Sequence, residues 1–543
     1  MVGSQRNMVR YNRPVNFAMR KAAALLLITG ILLSACSSSL WGHYDPYLTP
    51  STFTAVLTDT PSSTPTATPT PLQGSTSLPA ASFTPSPTFT LTPTLPGPTD
   101  TPSPERLYRS QSGDSLPVVA IHFGVQPSEI ASSVSLPANG YLSVDTVLVI
   151  PDTLSQTPTT PSTQIIPDSE VVYSPTAVDF NIENYINQAG GKLSTYSEYV
   201  AITGESDGGQ VVQRLAFECS INPRLLLALI QDYSGWVEGQ PKPGVDDTYP
   251  LGYHVPLYNG LYHQMFLLAR DLAAGYYGWR SGKLSELTFP DGTTLRLAPD
   301  LNAGTVALQY LFSTRYNYAD WLQKIDSQTG FMALYLNMFG DPWERDQSVA
   351  PLIPSSLPNP NFSLPFEPGV PWNFTNGPHP AWESESSLAA LDFAPPVSNC
   401  DPSDAWAVAI APGLIVRSGG GYVVLDVDHD GYEQTGWAVL YMHIADEGRI
   451  ADNTYVNAGD HIGHPSCLGG LATGTHLHIA RKYNGEWIGA GEPFPFVMSG
   501  WTAHYGASHD TTFYEGTLTK GDQAIVASKV GAAASRIIRQ PGE

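Results

Sequence analysis

The chain has 543 residues, which is too long for a single hydrophobic core and predicts several domains. Its 49 acidic residues outnumber the 26 basic ones, and the resulting formal charge of −23 argues against a protein that binds nucleic acid or anionic lipid. Only 14% of the residues are charged while Gly and Pro number 48 each, so much of the chain is expected to be linker or loop-rich β structure.

The first 35 residues are similar to a secretory signal peptide. Basic residues without acidic ones precede the apolar run AAALLLITGILLSAC, which ends at Cys36 and is short for a membrane span. The LSAC ending resembles the lipobox of bacterial lipoproteins. That resemblance implies lipidation of Cys36 and a membrane-anchored, extracytoplasmic protein of the bacterial cell envelope. The alternative is an ordinary signal peptide, or a short anchor, with a chance cysteine.

Three stretches have the composition of linkers. Residues 36–104 are rich in Ser, Thr and Pro and contain no Lys or Arg, so the sequence predicts an extended, disordered tether. A second linker is predicted over residues 153–178, and a third, Pro-rich linker over residues 351–370. Three foldable blocks remain between and after these linkers.

The first block, residues 105–152, predicts a strand, a Gly-Asp turn, two short helices and a closing strand. Through SGDSL, the VVAIHFGV helix and the final LVIP it resembles a LysM module. The resemblance implies a small βααβ fold that binds glycan. The alternative is a small structural spacer.

The second block, residues 179–350, is predicted to be mainly helical. In INPRLLLALIQDYSGW, Asn222 is a plausible N-cap before an apolar helix, and two further helices follow with a hairpin around LTFPDGTTLRLAP between them. The block resembles the lysozyme-like fold of lytic transglycosylases, in which the corresponding helix ends in the catalytic glutamate. Here Tyr233 takes that place, and Asp232 is about 100° away around the helix. The resemblance therefore implies a glycan-binding, catalytically inactive domain.

The third block, residues 371–543, is β-rich and carries nine of the 13 histidines. His379 is followed by Asp392 in a strand-like AALDFA, and His443 ends the apolar strand WAVLYMH. In GTHLHIA, His476 and His478 lie on one face of a predicted strand, roughly 7 Å apart. Two imidazoles and a carboxylate with an open fourth position are the ligands of a hydrolytic Zn²⁺.

In this order and setting the motifs resemble those of lysostaphin-type (LytM/LasA-like) zinc endopeptidases, which are peptidoglycan hydrolases with a compact antiparallel β-fold. The resemblance implies that Zn²⁺ is bound by His379, Asp392 and His478. It implies further that His443 and His476 are the catalytic histidines that polarise water and stabilise the tetrahedral intermediate.

Other interpretations of the third block have less support. A cupin would need a Glu ligand four or five residues after the His pair, where Lys482 and Tyr483 stand. The stretch DVDHDGYEQTGW is similar to a calcium loop but has Trp437 at its twelfth position, so a tight turn is expected there. Because Cys400 and Cys467 lie in one region of an extracytoplasmic protein, we expect them to pair, leaving Cys219 as a buried thiol.

The sequence thus predicts a multidomain chain: a LysM-like module, a mainly α lysozyme-like domain and a C-terminal antiparallel β-rich metallopeptidase domain. The predicted function is a lipid-anchored zinc metalloendopeptidase that cuts peptide bonds in peptidoglycan, with glycan-binding modules upstream and no nucleic-acid partner. The rival hypothesis is a non-enzymatic LytM-like scaffold that binds the cell wall or activates another hydrolase.

Overall fold

The computed structural model describes residues 104–201, 203–382, 386–509 and 513–543. The predicted signal peptide, Cys36 and the tether up to residue 103 lie outside the described residues. Within the described part of the chain, no helix combines the length and the apolar character needed to cross a membrane.

The N-terminal module, residues 105–152, is a three-stranded antiparallel sheet with one helix packed on it. Its strands run in the order β1–β3–β2, and its core is formed by residues such as Val119, Phe123 and Leu148. The second predicted helix is a single 3₁₀ turn at Pro127–Glu129. The elements are β1 (Glu105–Arg109), α1 (Leu116–Phe123), β2 (Ala131–Ser132) and β3 (Val147–Pro151).

The segment predicted as a linker, residues 153–178, is packed rather than extended. Ile166 is fully buried, and Asp168 Oδ1 accepts hydrogen bonds of 2.7 Å from Asn302 Nδ2 and from the backbone N–H of Gly304. The apolar residues between its prolines therefore find a partner surface, which composition alone does not reveal. We call residues 153–350 the helical block.

The helical block contains the helices and the hairpin that the sequence predicts. Asn222 caps its helix by accepting a hydrogen bond of 3.0 Å from the backbone N–H of Arg224. Gly275 lets two helices pack closely, since a Cβ there would lie 2.8 Å from Ala307 Cα. The elements are α2 (Ile182–Ala189), β4 (Ser197–Val200), β5 (Gly204–Asp207), α3 (Gly208–Cys219), α4 (Pro223–Ser234), α5 (Gly260–Arg280), β6 (Glu286–Thr288), β7 (Thr294–Arg296), α6 (Ala303–Ser313), α7 (Tyr318–Lys324), α8 (Phe331–Phe339) and α9 (Pro342–Asp346).

The C-terminal block, residues 351–543, is built from antiparallel strands, as predicted. A nine-stranded sheet has the order β14–β11–β12–β13–β16–β9–β8–β22, with β17 paired to β16, and a four-stranded sheet has the order β18–β19–β20–β21. The strands are β8 (Pro371–His379), β9 (Ala390–Ala394), β10 (Ala407–Val408), β11 (Gly413–Gly419), β12 (Tyr422–Asp426), β13 (Trp437–Met442), β14 (Tyr455–Val456), β15 (His461–Gly463), β16 (Leu477–Tyr483), β17 (Glu486–Trp487), β18 (Val497–Met498), β19 (Trp501–His509), β20 (Tyr514–Lys520), β21 (Gln523–Val526) and β22 (Arg536–Ile538).

The two faces of the large sheet have different contents, because side chains alternate along each strand. On β16, Leu477 and Ile479 point into the main hydrophobic core and are fully buried. His478 points to the other face and is paired directly with Asp392 on β9 and with Met442 on β13. We call this second face the metal-bearing face.

The Pro-rich segment predicted as a linker, residues 351–370, is also packed. Phe362, Leu364 and Phe366 are buried in the main core of the C-terminal block. These apolar residues alternate with polar ones and prolines, so the segment covers the sheet without forming a long strand. As in residues 153–178, the apolar residues of this segment find a partner surface that composition alone does not reveal.

The cysteines are arranged largely as predicted. Cys400 and Cys467 form a disulfide with a Cα–Cα distance of 5.7 Å. Cys219 keeps its thiol and is half-buried rather than buried.

The hairpin formed by β16 and β17 extends into the helical block. Gly485 at its tip has a φ of +80°, and a Cβ there would lie 2.1 Å from Tyr173 O. Its carbonyl accepts a hydrogen bond of 2.7 Å from Ser220 Oγ. The strand that carries His478 is therefore anchored in the helical block at its other end.

Candidate metal centre

Three adjacent strands bring the predicted ligands together. His379 ends β8, Asp392 lies in the middle of β9, and His478 lies near the start of β16. His379 is 8% exposed, and Asp392 and His478 are each 7% exposed. The register opposes Asp392 and His478 directly, so their side chains emerge side by side on the metal-bearing face.

The three side chains converge on one point. Asp392 Oδ1 lies 3.2 Å from both His379 Nε2 and His478 Nδ1, and these two nitrogens are 3.0 Å apart. All three ligand atoms therefore lie within 3.2 Å of one another. The spacing suits three ligands around one small cation.

Hydrogen bonds on the outer side fix which imidazole atoms face inward. His379 Nδ1 lies 2.9 Å from Gly377 O, and His478 Nε2 lies 3.0 Å from Ala381 O. Because a carbonyl only accepts, each of these nitrogens must donate, which leaves the inward nitrogens as lone-pair acceptors in the neutral rings. Three electron-pair donors then face one another.

The carboxylate has one oxygen supported by the protein and one left over. Asp392 Oδ2 accepts a hydrogen bond of 3.3 Å from Asn376 Nδ2, whereas buried Oδ1 has no hydrogen-bond donor among the described residues. Burial alone would raise the pKa of Asp392, but attraction to the protonated forms of His379 and His476 outweighs burial and holds that pKa well below its ordinary value. An ionised carboxylate with an orphaned inward oxygen fits a metal ligand.

The two predicted catalytic histidines lie beside the ligands and are oriented in the same way. His443 Nδ1 lies 2.8 Å from Leu468 O, and His476 Nδ1 lies 2.7 Å from Gly474 O. Their ring centroids are 4.3 Å apart, and His476 Nε2 is 3.7 Å from Asp392 Oδ2. Both rings therefore turn Nε2 away from the backbone carbonyls.

His443 is held in an unusual backbone conformation. It follows β13 directly with a φ of +63°, in the left-handed region that residues with a side chain rarely occupy. Burial, and then the imidazoles of His476 and His478, hold the pKa of His443 well below its ordinary value. A lowered pKa favours the uncharged ring, and with Nδ1 directed at Leu468 O the lone pair of that ring lies on Nε2.

A matched family model and relatives with similar sequences are found for this chain. Residues 164–352 match the family described as LasA, N-terminal domain. The chain is 24% identical over 358 residues to Protease LasA from each of two strains of Pseudomonas aeruginosa, covering 62% of this chain and 78% of the relative. These findings support a LytM/LasA-like peptidase domain.

The solved structures that match this chain cover it only in part. The deep-sea M23 metalloprotease pseudoalterin is 18% identical, covers 31% of this chain and 96% of its own, and has a TM-score of 0.26. The catalytic domain of lysostaphin from Staphylococcus simulans is 24% identical, covers 23% of this chain and 89% of its own, and has a TM-score of 0.17. A zinc-containing peptidase from Vibrio cholerae is 20% identical, covers 24% of this chain and 40% of its own, and has a TM-score of 0.17.

Zn²⁺ as cofactor is supported by the LasA relatives together with the donor set of this site. Two neutral imidazoles and one carboxylate are ligands that Zn²⁺ accepts in hydrolytic enzymes. The residues present therefore fit the metal that the sequence predicts.

Several residues that support the site carry no signal in the sequence. Asn376 holds the outer oxygen of Asp392 from three residues before His379. Leu468 contributes only a backbone carbonyl, and it follows Cys467 of the disulfide, so the crosslink braces the loop that orients His443. Backbone acceptors of this kind have no residue preference by which a pattern could reveal them.

The other singled-out residues lie outside this cluster. Asp232 forms an ion pair with Lys324, and the Arg315 guanidinium stacks over the Tyr233 ring at 4.3 Å. The block that contains them matches the LasA N-terminal domain family, and its resemblance to lysozyme-like domains stays a prediction.

The acidic stretch after β12 forms a loop over residues 427–436 rather than a tight turn. The carboxylate of Asp426 accepts hydrogen bonds of 3.1 and 2.9 Å from the backbone N–H groups of His429 and Gly431. The loop continues into Tyr432 and Glu433, which face the helical block.

Proposed function

We propose that this chain is a lipid-anchored, extracytoplasmic zinc metalloendopeptidase that hydrolyses peptide bonds in the stem or cross-bridge peptides of peptidoglycan. The observation that carries the proposal is the convergence of three inward-facing ligand atoms with two further oriented imidazoles beside them. The relationship to Protease LasA supports the same reaction class.

His379, Asp392 and His478 would hold the metal. Bound Zn²⁺ would supply Lewis-acid chemistry that polarises the scissile carbonyl and lowers the pKa of the attacking water. Among the described residues the cluster contains three ligands and no fourth, an arrangement typical of catalytic rather than structural zinc sites.

His443 and His476 would handle protons and charge. A neutral His443 can take the proton of the attacking water and return it to the leaving amine. His476 has Nε2 3.7 Å from the ligand carboxylate, and in its imidazolium form it would donate from Nε2 to the oxyanion of the tetrahedral intermediate. The Nδ1 atoms of both rings donate to backbone carbonyls, which leaves the two Nε2 atoms available for contact with water or substrate.

Further parts of the proposal concern placement and substrate binding. Lipidation at Cys36 would tether the chain to the outer side of a membrane, and the Ser/Thr/Pro-rich segment would extend it towards the wall. The LysM-like module and the helical block would bind glycan strands. These assignments rest on the sequence patterns described above.

The rival function is a non-enzymatic LytM-like scaffold that activates another hydrolase. A scaffold has no need to keep three ligands and two oriented histidines together. The presence of all five side chains in one cluster, with four of them buried and His476 half-buried, favours the peptidase.

The test separates two phenotypes among these five residues. Replacing a ligand by Ala is expected to abolish both bound zinc and the release of new amino termini from purified peptidoglycan. Replacing either catalytic histidine by Ala is expected to leave zinc near one equivalent and to lower turnover roughly 10²–10⁴-fold. Atomic spectroscopy and peptide-end analysis on the full chain measure both quantities; the ligands are His379, Asp392 and His478, and the catalytic histidines are His443 and His476.

His504→Ala is the matched control. This histidine lies on β19 of the same block and pairs with Glu492 rather than with the cluster. It should leave both zinc content and turnover unchanged. If His476→Ala loses the metal while His478→Ala retains it, the two roles are reversed; if all five variants keep metal and activity, the site lies elsewhere.

A further inference from the structure

The sheet of the N-terminal module has an open edge. Its strands run in the order β1–β3–β2, so β1 (Glu105–Arg109) is paired only on the side of β3 among the described residues. With five residues, β1 is also the longest terminal strand of any described sheet, since the others have two to four residues. An exposed edge of this length is a surface on which another strand can pair.

The backbone register determines which groups of β1 point to the open side. The N–H of Asp152 donates a hydrogen bond of 2.7 Å to Pro104 O, directly before β1. In an antiparallel pair, residues that bond to the partner strand alternate with residues that do not, so the even-numbered residues of β1 bond to β3. The N–H and C=O groups of Glu105, Leu107 and Arg109 therefore point to the open side.

The side chains of β1 alternate between the module core and the outer face of its sheet. Tyr108 is 6% exposed and belongs to the core, whereas Leu107 is 73% exposed on the outer face. Leu107 is paired with Val149 on β3, and Val149 is paired with Ala131 on β2. The outer face therefore has an apolar row that runs across the sheet and ends at an exposed leucine on the open edge.

Two opposite charges flank this leucine on the same face. Glu105 and Arg109 are both exposed, and neither forms an ion pair within the described part of the chain, whereas Arg106 on the other face lies 3.9 Å from Asp152. Charges of opposite sign at equal distances on either side of Leu107 make the strand complementary to itself. If a second copy pairs antiparallel about a two-fold axis at Leu107, Glu105 of each copy lies opposite Arg109 of the other.

The same register also satisfies the outward-pointing backbone groups. It opposes the residues whose N–H and C=O groups face the open side, and three such opposed pairs form about six hydrogen bonds. A two-fold axis at Arg106 or Tyr108 would leave only two of these pairs and would oppose a charged residue to Leu107. Backbone hydrogen bonding and charge thus favour one register, which is centred on Leu107.

We propose that β1 pairs antiparallel with β1 of a second copy of this chain, so that two N-terminal modules form one six-stranded sheet. Each Leu107 is then covered by the other, and the apolar row continues from one module into the next. A pair of five-residue strands is small beside the roughly 1,200–2,000 Å² of a stable interface, so association is weak in dilute solution. Two copies anchored to one membrane through Cys36, as proposed above, would pair more readily, because anchoring raises their effective concentration.

A cross-link at the two-fold axis tests the pairing. In a hydrogen-bonded antiparallel pair the opposed Cα atoms are about 5.5 Å apart, a distance that a disulfide spans. In membranes of cells that produce the full chain, Leu107→Cys is expected to give, after oxidation in air, a band of twice the chain mass on a non-reducing gel. Val134→Cys is the matched control, because Val134 is 56% exposed on the same module but lies outside β1. Both Val134→Cys and the parent are expected to stay monomeric.

Charge exchange in the Leu107→Cys chain tests the register. Adding Glu105→Arg opposes like charges in both flanking pairs, so the yield of cross-linked dimer should fall roughly tenfold. Adding Arg109→Glu as well restores opposite charges in both pairs, and the yield should return to that of Leu107→Cys alone. Because both side chains are exposed, these variants are expected to fold. Equal yields from the single and the double exchange would refute the register.

Sedimentation equilibrium of the detergent-solubilised full chain measures the association without an added thiol. The average mass of the parent and of the double exchange should rise with concentration, whereas that of Glu105→Arg should stay at the monomer value. Equal cross-linking of Leu107→Cys and Val134→Cys would overturn the proposal. So would a cross-linked band whose mass is not twice that of the chain, because the edge would then bind a different protein. Neither measurement requires catalysis, so the dimer can be confirmed or refuted whether or not the chain is a peptidase.

Discussion

Arg280, at the end of α5, is a buried cation shared by all three blocks. Its Nη2 lies 2.8 Å from Asp168 Oδ2 and 3.0 Å from Glu486 Oε2, and its Nη1 donates to Ser112 O in the N-terminal module. Its side chain is only 12% exposed, and that of Glu486 is 4% exposed. We predict that Arg280→Met is among the most destabilising single changes outside the main cores.

The magnitude follows from what the substitution leaves behind. Removing one partner of a buried ion pair costs about 3–5 kcal/mol, because the other charge stays buried without compensation. Two carboxylates lose their cation here, but each keeps a hydrogen bond: Asp168 from Asn302, and Glu486 from Tyr276 at 2.7 Å. We therefore expect a loss of about 4 kcal/mol in the free energy of unfolding.

The assay is denaturant unfolding at pH 7, followed by tryptophan fluorescence, for Arg280→Met, Glu486→Gln and the double variant. Glu486→Gln should cost about 1–3 kcal/mol, since Arg280 keeps Asp168 as its partner. The double variant should lose less than the sum of the single losses, because it contains one uncompensated carboxylate fewer. A loss below about 1 kcal/mol for Arg280→Met, or strictly additive losses, would refute the idea of a desolvated network.

Two further predictions concern other parts of the chain. His122 stacks on Trp279 of α5, and burial lowers the pKa of His122 to about 3. As the pH falls through 6.5, His122 therefore takes up a proton in the unfolded chain but not in the folded one. Acidification from pH 7 to pH 5 should then cost about 2 kcal/mol of stability that His122→Gln does not lose, and equal pH dependence of unfolding in both proteins would contradict this. Cys36→Ser should release the protein from membrane fractions or stall its processing; unchanged membrane association, with a free Cys36 thiol in the parent by mass spectrometry, would rule out lipidation.

The strands of the metal centre could be predicted because their information is local. In AALDFA and THLHIA polar residues stand between apolar ones, and period-two alternation determines which residues share a side. WAVLYMH is instead an unbroken apolar run that ends in His443. Alternation is why His476 and His478 could be assigned to one face before any register was known. The N-cap at Asn222 was predictable for the same reason, since capping depends on neighbours in sequence.

The packing of the two Pro-rich segments could not be predicted in this way. Ile166 and Phe362 are scattered among prolines and polar residues, and composition alone indicates a solvated chain. Whether such residues are buried depends on distant surfaces, here α6 for Ile166 and the sheet core for Phe362. The orientation of His443 by the carbonyl of Leu468 depends on a contact between loops in the same way.

The metal-bearing face explains why one strand contains both histidine and lysine. Alternation puts Lys482 on the same face of β16 as His478, and Lys482 is only 3% exposed. A buried ammonium is costly unless it is paired, and Glu433 supplies the partner from the loop after β12. The Lys482–Glu433 pair lies under the helical block, so this end of the polar face is covered. The inward-facing ligands lie at the other end of the same strand.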